Sequence, residues 1–304
     1  MKIAAAAYPL DWLETWDAFE RKLTGWVEAA VEEGADLLVF PEYGAMELAS
    51  LAGPEIAGDI EHAAIAVSEL LPQADELHAK LAFEHGVHIL AGSAPLRRAY
   101  GRPVNRARLF APNGHMGWQD KLIMTRYERE EWDIAAGDAA MVFETSLGRI
   151  GVLTCYDGEF PLSARAMVEA GAEILLVPSC TEALSGYWRV RIGAMARALE
   201  GQCVVVQSPL VGPAPWCPAV DENTGAAGIY GPPDLGFPAT GVLAEGPLNQ
   251  PGWVIAEVDR EAIARVRREG RVLNMLHWRE QDDRLEAVQI VGMDDQETRA
   301  SSLG

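Results

Sequence analysis

An α/β fold is predicted by three features of this chain of 304 residues. Short β-rich apolar runs alternate with longer helical patterns up to position 210, as expected of sheet strands covered by helices. Apolar residues make up 49% of the chain and charged ones 23%, an ordinary globular balance far from the signature of disorder. No internal repeat, low-complexity tract or long linker interrupts the pattern, so one domain over 1–269 is expected, followed by a C-terminal arm or tail over 270–304.

Ile3 to Tyr8 opens the chain as a strand. Trp16, Phe19, Leu23, Trp26, Val27, Ala30 and Val31 then recur at helical spacing, and Gly34 supplies a stop. The strand Asp36 to Phe40 follows, then a helical region from near Asp59 to Gly86, expected to break around Pro72, and the strand His88 to Gly92. Ala107 to Ala111 and His115 to Gln119 are strand-like. Arg149 to Thr154 and Ile174 to Pro178 form two buried strands joined by a helix from Pro161 to Ala170. Tyr187 to Glu200 is helical, Gly201 stops it, and Cys203 to Gln207 is again a strand. Val211 to Gly246 is rich in Gly and Pro, which suits hairpins and loops. A strand at Trp253 to Val258 and a helix from Asp259 to Glu269 close the domain.

With 25 basic and 45 acidic residues the formal charge is -20, which repels phosphate backbones and anionic lipid surfaces. Nucleic acid and membrane are therefore not expected partners. The four cysteines, with no CxxC pair, read as reduced thiols rather than a disulfide scaffold or zinc site. No secretory signal is expected from MKIAAAAYPL, and no stretch reaches the about 18 apolar residues of a spanning helix. A cytoplasmic protein is expected.

Three segments can carry chemistry. LLVFPEYG sets Glu42 just after a buried strand, at the sheet edge where ligands of α/β proteins collect. RIGVLTCYDGEFP runs a strand into Cys155, a tight turn and a helix, an elbow that aims a nucleophile and nearby backbone N–H groups at one spot. GWQDKLIMTRYEREEW puts Lys121 at a strand end, with Glu128 and Glu130 shortly after. Taken singly, each has a plainer reading: a solvated glutamate, a small buried cysteine, a charged surface segment. Cys180, Cys203 and Cys217 keep the plain one. His85 and His88 straddle a helix stop and make a poor metal pair, and Gly225, Gly228 and Gly231 are turn glycines with no phosphate loop around them. Asp157 and Glu159 either cap the following helix or bind a substrate amine.

Together the segments offer a carboxylate, a cation and a thiol in the chain order Glu42, Lys121, Cys155. In this the chain resembles the nitrilase superfamily of carbon–nitrogen hydrolases. FPE, the Lys121 segment, CYDGEFP, RALEG (Arg197 to Gly201) and the run Gly228 to Gly246 carry the resemblance, while Gly201 and Ala227 depart from the family's usual Asn and Ser.

The resemblance implies a four-layer αββα sandwich and hydrolysis of a small-molecule amide, with Cys155 as nucleophile, Glu42 as base and Lys121 with the Tyr156 backbone N–H at the oxyanion. A second glutamate is implied a few residues after the lysine; Glu128 is the first choice and Glu130 the rival. Tyr156 and Asp157 stand where true nitrilases carry Trp and Glu, which favours amides over nitriles. Pocket-forming loops are expected around Met46, Trp132, Trp188 and Trp216, with Glu130, Trp132 and Trp188 as candidate substrate contacts. Neither metal nor organic cofactor is implied, and a homodimer or larger homo-oligomer is. Alternatives are a true nitrilase, an acyltransferase passing the same thioester to an amine, and a non-catalytic binding or assembly protein that keeps the fold.

Overall fold

The computed structural model describes residues 1–285, 287–291 and 293. Seven strands form the first sheet: β1 (Lys2–Ala7), β2 (Leu37–Val39), β3 (His88–Leu90), β4 (Ala94–Leu96), β5 (Val104–Phe110), β6 (Met116–Asp120) and β13 (Gly252–Glu257). The order is β13-β1-β2-β3-β5-β4, with β6 paired to β5. Six form the second: β7 (Val142–Thr145), β8 (Gly148–Val152), β9 (Ile174–Ser179), β10 (Val204–Pro209), β11 (Gly228–Tyr230) and β12 (Val242–Glu245), in the order β12-β11-β10-β9-β8-β7. The helices are α1 (Trp16–Glu32), α2 (Pro54–Ala57), α3 (Ile60–His85), α4 (Arg126–Glu130), α5 (Pro161–Glu169), α6 (Leu184–Gly201), α7 (Arg260–Glu269), α8 (Asn274–His277) and α9 (Asp282–Leu285).

Strand alternation builds the four layers. In β1, Ile3, Ala5 and Ala7 face the second sheet and share a core with Leu37, Val39, Ile150, Val152, Leu176 and Val206, while Ala4 and Ala6 face outward. Phe19, Leu23 and Val27 of α1 and Val67, Leu71 and Leu77 of α3 cover that outer face. On the other side, Ala164 and Met167 of α5 and Val190, Ala194 and Ala198 of α6 cover Leu175, Val177 and Val205. The result is the αββα sandwich.

Parallel triplets β1-β2-β3 and β8-β9-β10 lie at the centre of the two sheets, so their carboxyl ends carry the connecting loops. The sheets are tied there: Tyr8 N donates to the Pro209 carbonyl at 3.0 Å, and the buried Ser208 Oγ lies 2.8 Å from the carbonyl oxygens of Ala6 and Val39.

Several elements depart from the expectation. Pro72 does not break α3, which runs unbroken from Ile60 to His85. Proline forfeits one backbone hydrogen bond, but Pro72 is exposed and the flanking Val67, Leu71, Ala74 and Leu77 are buried, so packing on both sides carries the helix through. The edge strands β4 and β7 were unexpected. Three-residue β4 contains Pro95 and β7 is only half-buried, so neither presents a continuous apolar run. Beyond α7 the arm forms α8, a turn at Trp278–Gln281 and α9. It lies against the second helical layer: Met275 N donates to Gln202 Oε1 at 3.2 Å, and the Arg165 guanidinium stacks over Trp278 at 4.7 Å. The rest of the expected tail, residues 286, 292 and 294–304, lies outside the described residues.

Candidate active site

Glu42 follows β2 through Phe40 and Pro41 and is buried. Its Oε1 accepts hydrogen bonds from Lys121 Nζ at 2.8 Å and Asn105 Nδ2 at 2.9 Å; its Oε2 accepts from the Cys180 backbone N at 2.9 Å. Asn105, on β5, is oriented by Ser93, whose Oγ donates to Oδ1 at 2.6 Å and accepts from Tyr43 N at 2.9 Å. The loop can turn this tightly because Gly44 lies against Gly92: a Cβ on Gly92 would stand 2.8 Å from Gly44 Cα. Burial pushes the Glu42 carboxyl up to about 7, against the pull of Lys121 and with the push of Glu128.

Lys121 directly follows β6, where its backbone N donates to the Asn105 carbonyl at 2.8 Å. Its Nζ lies between Glu42 and Glu128, 2.7 Å from Glu128 Oε2. Burial disfavours the ammonium, but the carboxylates of Glu42 and Glu128 outweigh it and hold the lysine well above its usual range. Glu128 is buried on α4 and fixed by four further contacts. Thr125, the N-cap, gives both its N and its Oγ1 to Oε2 at 2.9 Å and receives the Glu128 N in a capping box, and Tyr43 Oη donates to Oε1 at 2.6 Å. Burial works to raise its carboxyl, yet Lys121 and these donors keep it below the ordinary value.

Glu130, the rival, is placed elsewhere. Two residues along an α-helix is about 200° of rotation, so Glu130 leaves the cavity, is exposed and pairs with Arg126 at 2.7 Å. Glu130→Gln is expected to leave kcat/KM within about twofold, since surface ion pairs contribute little. Glu128→Gln is expected to lower it about 100-fold, because a misplaced Lys121 loses alignment. Steady-state kinetics on both variants checks this, and comparable losses in the two would contradict it.

Cys155 begins a 3-10 turn (Cys155–Glu159) between β8 and α5, and its φ of 50° is a left-handed conformation unusual for a side-chain-bearing residue. The thiol is buried, 3.7 Å from the Cys180 carbonyl oxygen. Burial, then the charge of Glu42, push the thiol well above its usual value against the pull of Lys121, so it rests protonated. Asp157, fully buried, accepts from Ile123 N at 2.8 Å, Leu122 N at 3.1 Å and Thr154 N at 3.2 Å. It thus clips the turn carrying Cys155 to the segment carrying Lys121, rather than capping α5 or meeting a substrate. Burial pushes its carboxyl up to about 6, opposed by these backbone donors. Arg197 in RALEG ties α6 to the same turn, donating from Nη1 to the Gly158 carbonyl at 3.1 Å. Gly193 lets the two approach: a Cβ there would sit 2.8 Å from that carbonyl.

Glu42, Lys121, Glu128, Cys155 and Tyr156 line one cavity of about 500 Å³. Trp132 lines it too, buried and 4.5 Å from the Tyr43 ring. Trp188 does not: it is 47% exposed on α6, with the Arg191 guanidinium over its ring at 5.1 Å. Met46 is buried in the core beneath the first helical layer and Trp216 packs on Trp12 at 5.6 Å, but the segments around them do reach the cavity, through Tyr43 and through Pro218 to Glu222, as Gly186 and Arg189 do beside Trp188. Sequence reasoning missed Tyr43, Asn105 and Cys180. Tyr43 adjoins Glu42 in PEYG and Cys180 sits at a strand end, so position offered a signal for these two. Asn105 offered none.

Among the described residues no group of three or more His, Cys, Asp or Glu is placed to hold a metal ion, and no helix is long and apolar enough to cross a membrane. The probable hydrolase YhcX of Bacillus subtilis is 34% identical over 275 residues, 90% of this chain and 52% of that protein. The chain thus spans about half the length of that relative. A deaminated glutathione amidase of Synechocystis is 28% identical over 265 residues, covering 80% of this chain and 86% of that one. Two solved structures share the fold. The carbon-nitrogen hydrolase of Helicobacter pylori G27 matches with TM-score 0.74 at 20% identity, over 94% of this chain and 98% of that one. A mutant of the amidase from Nesterenkonia sp. AN1, carrying acrylamide added at its active site cysteine, matches with TM-score 0.65 at 22% identity, over 87% and 95%. The carbon-nitrogen hydrolase family model matches residues 2–268, and the chain belongs to that family.

Proposed function

We propose that this protein hydrolyses a small amide to a carboxylic acid and ammonia or an amine, through a thioester on Cys155. The observation that carries the reading is the buried Glu42 carboxyl, pushed up to about 7 and hydrogen-bonded to Lys121 beside the Cys155 thiol. A carboxylate near neutrality is a usable base, and it accepts the thiol proton as sulfur attacks the amide carbon. Lys121 and the Tyr156 backbone N–H stabilise the oxyanion that develops. Collapse breaks the carbon–nitrogen bond as Glu42 returns the proton to the departing nitrogen. Water then gives a proton to Glu42 and attacks the thioester; the carbon–sulfur bond breaks, and the proton goes back to Cys155. Glu128 holds Lys121 throughout.

The names of the Synechocystis and Nesterenkonia relatives support an amide as the bond cleaved, and the acrylamide adduct in the latter supports a cysteine nucleophile. The exposed apolar residues Leu162 on α5, Ile192 on α6 and Leu276 on α8 support association of copies through this face. The free cysteines support a reducing compartment.

Intact-mass measurement after incubation with a small amide library tests the function. The expected result is ammonia or amine release with a transient acyl adduct mapped to Cys155 and absent in Cys155→Ala. Hydrolysis that persists in Cys155→Ala, or acyl transfer to added amines in place of hydrolysis, would overturn it.

A further inference from the structure

We propose that the substrate carries a positive charge, an ammonium or guanidinium, on the part of the molecule remote from the scissile bond. This rests on the reading of the cavity as the site of Cys155 chemistry and names the class of amide it takes.

The floor of the cavity is nearly balanced, Lys121 being enclosed by Glu42 and Glu128. The mouth is not. Glu182, Asp221 and Glu222 line it, are exposed, and form no ion pair among the described residues. The other cation among the lining residues, Arg189, is already held by Glu159 at 3.3 Å. A carboxylate tail would therefore face three like charges with a compensated guanidinium, whereas a cationic tail meets three free partners.

This mouth is built, not incidental. Glu182 precedes α6, and Asp221 and Glu222 lie between β10 and β11, far apart in sequence. Thr181 and Thr224 clamp the two loops by reciprocal bonds, Thr181 Oγ1 to the Thr224 carbonyl and Thr224 N to the Thr181 carbonyl, each 2.7 Å. The same loop reaches the reaction centre one residue earlier, where Cys180 N binds Glu42. The acids and the base are thus set on one framework. Between them the walls are aromatic, Tyr127, Trp132 and Tyr156, whose π faces attract cations and leave an alkyl spacer in apolar surroundings. The phenol of Tyr127 is pushed up first by burial and then by the charges of Asp221 and Glu182 among others, which places both carboxylates in reach of the same wall.

The test uses three iodoacetamides of equal length whose N-linked tails end in an ammonium, a methyl group or a carboxylate. Alkylation of Cys155 is followed by peptide mass mapping, and each rate is divided by that of the same probe with glutathione. The ammonium probe is expected to react about tenfold or more faster than the carboxylate probe at low salt. The ratio should shrink as salt is raised and in the triple variant Glu182→Gln/Asp221→Asn/Glu222→Gln, with the methyl probe reporting that the cavity is intact. Equal rates, or a faster carboxylate probe, would overturn the proposal. Alkylation needs no turnover, so a charge preference without amide hydrolysis would remove the proposed function and leave this inference standing. Hydrolysis with a carboxylate preference would do the reverse.

Discussion

Lys121→Met is expected to lower kcat/KM by about 100- to 1000-fold, the usual cost of losing an oxyanion donor, and to destabilise the fold by about 3–5 kcal/mol. The second effect follows from burial. Lys121 is 1% exposed and contacts Glu42 and Glu128 at 2.8 and 2.7 Å, so its removal leaves two carboxyl groups facing each other in a dry site. Both then favour protonation, which puts their folded-state values above the ordinary carboxyl value. A carboxyl raised on folding binds more protons in the folded state, so stability is greatest below the unfolded value and is lost as pH rises through the folded one. The variant should therefore be closer to wild type at pH 5 than at pH 8. Urea unfolding at both pH values, beside kinetics, checks the prediction. Adding Glu128→Gln to the variant should restore part of the stability and none of the activity. Activity within threefold of wild type, or equal destabilisation at the two pH values, would count against the arrangement.

Asp157→Asn is expected to cost about 2–4 kcal/mol, as hydrogen bonds to a buried charged acceptor are lost and a donor is set against donors. One oxygen would remain for Ile123 N, but the amide nitrogen would oppose Thr154 N–H, now 3.2 Å from Oδ2. The clip between the turn that carries Cys155 and the segment that carries Lys121 would loosen, and an error of an ångström in a reacting pair costs about 100-fold in rate. Because Asp157 lies outside the cavity wall, the loss should fall on kcat, with KM changed less than threefold. An unchanged kcat in a folded variant would show that the clip has no role in positioning.

The two ends of the site were legible for different reasons. Glu42 stands out because a buried apolar strand must end somewhere, and Pro41 with Gly44 marks that end. Cys155 stands out because a strand, a tight turn and Pro161 define an elbow. Asn105 was invisible because the apolar run that marks the strand begins only at Ala107, whereas β5 starts at Val104 and carries this side chain into the site. Glu128 and Glu130 could not be separated while the segment had no assigned helix, since the choice depends on the register of α4. Asp157 was left between a helix cap and a substrate contact because its partners, the amides of Leu122 and Ile123, come from a distant strand end that local pattern cannot bring near. The sandwich itself was legible in the alternation of buried strands and amphipathic helices, although Pro72 and the short edges β4 and β7 depended on packing. Trp188 illustrates the converse, an aromatic residue whose type points to a pocket but whose helix turns it outward.

The most direct measurement is the rate of Cys155 alkylation by plain iodoacetamide as a function of pH, in wild type and in Glu42→Gln. If Glu42 removes the thiol proton, the wild-type rate rises with pH through about 7, where this carboxyl ionises, and levels off above it. Glu42→Gln should lose that limb and react at least about 100-fold more slowly near pH 7.5, since no carboxylate is left to take the proton and burial, the largest cause of the raised thiol, remains. Superimposable profiles for the two proteins would contradict the account.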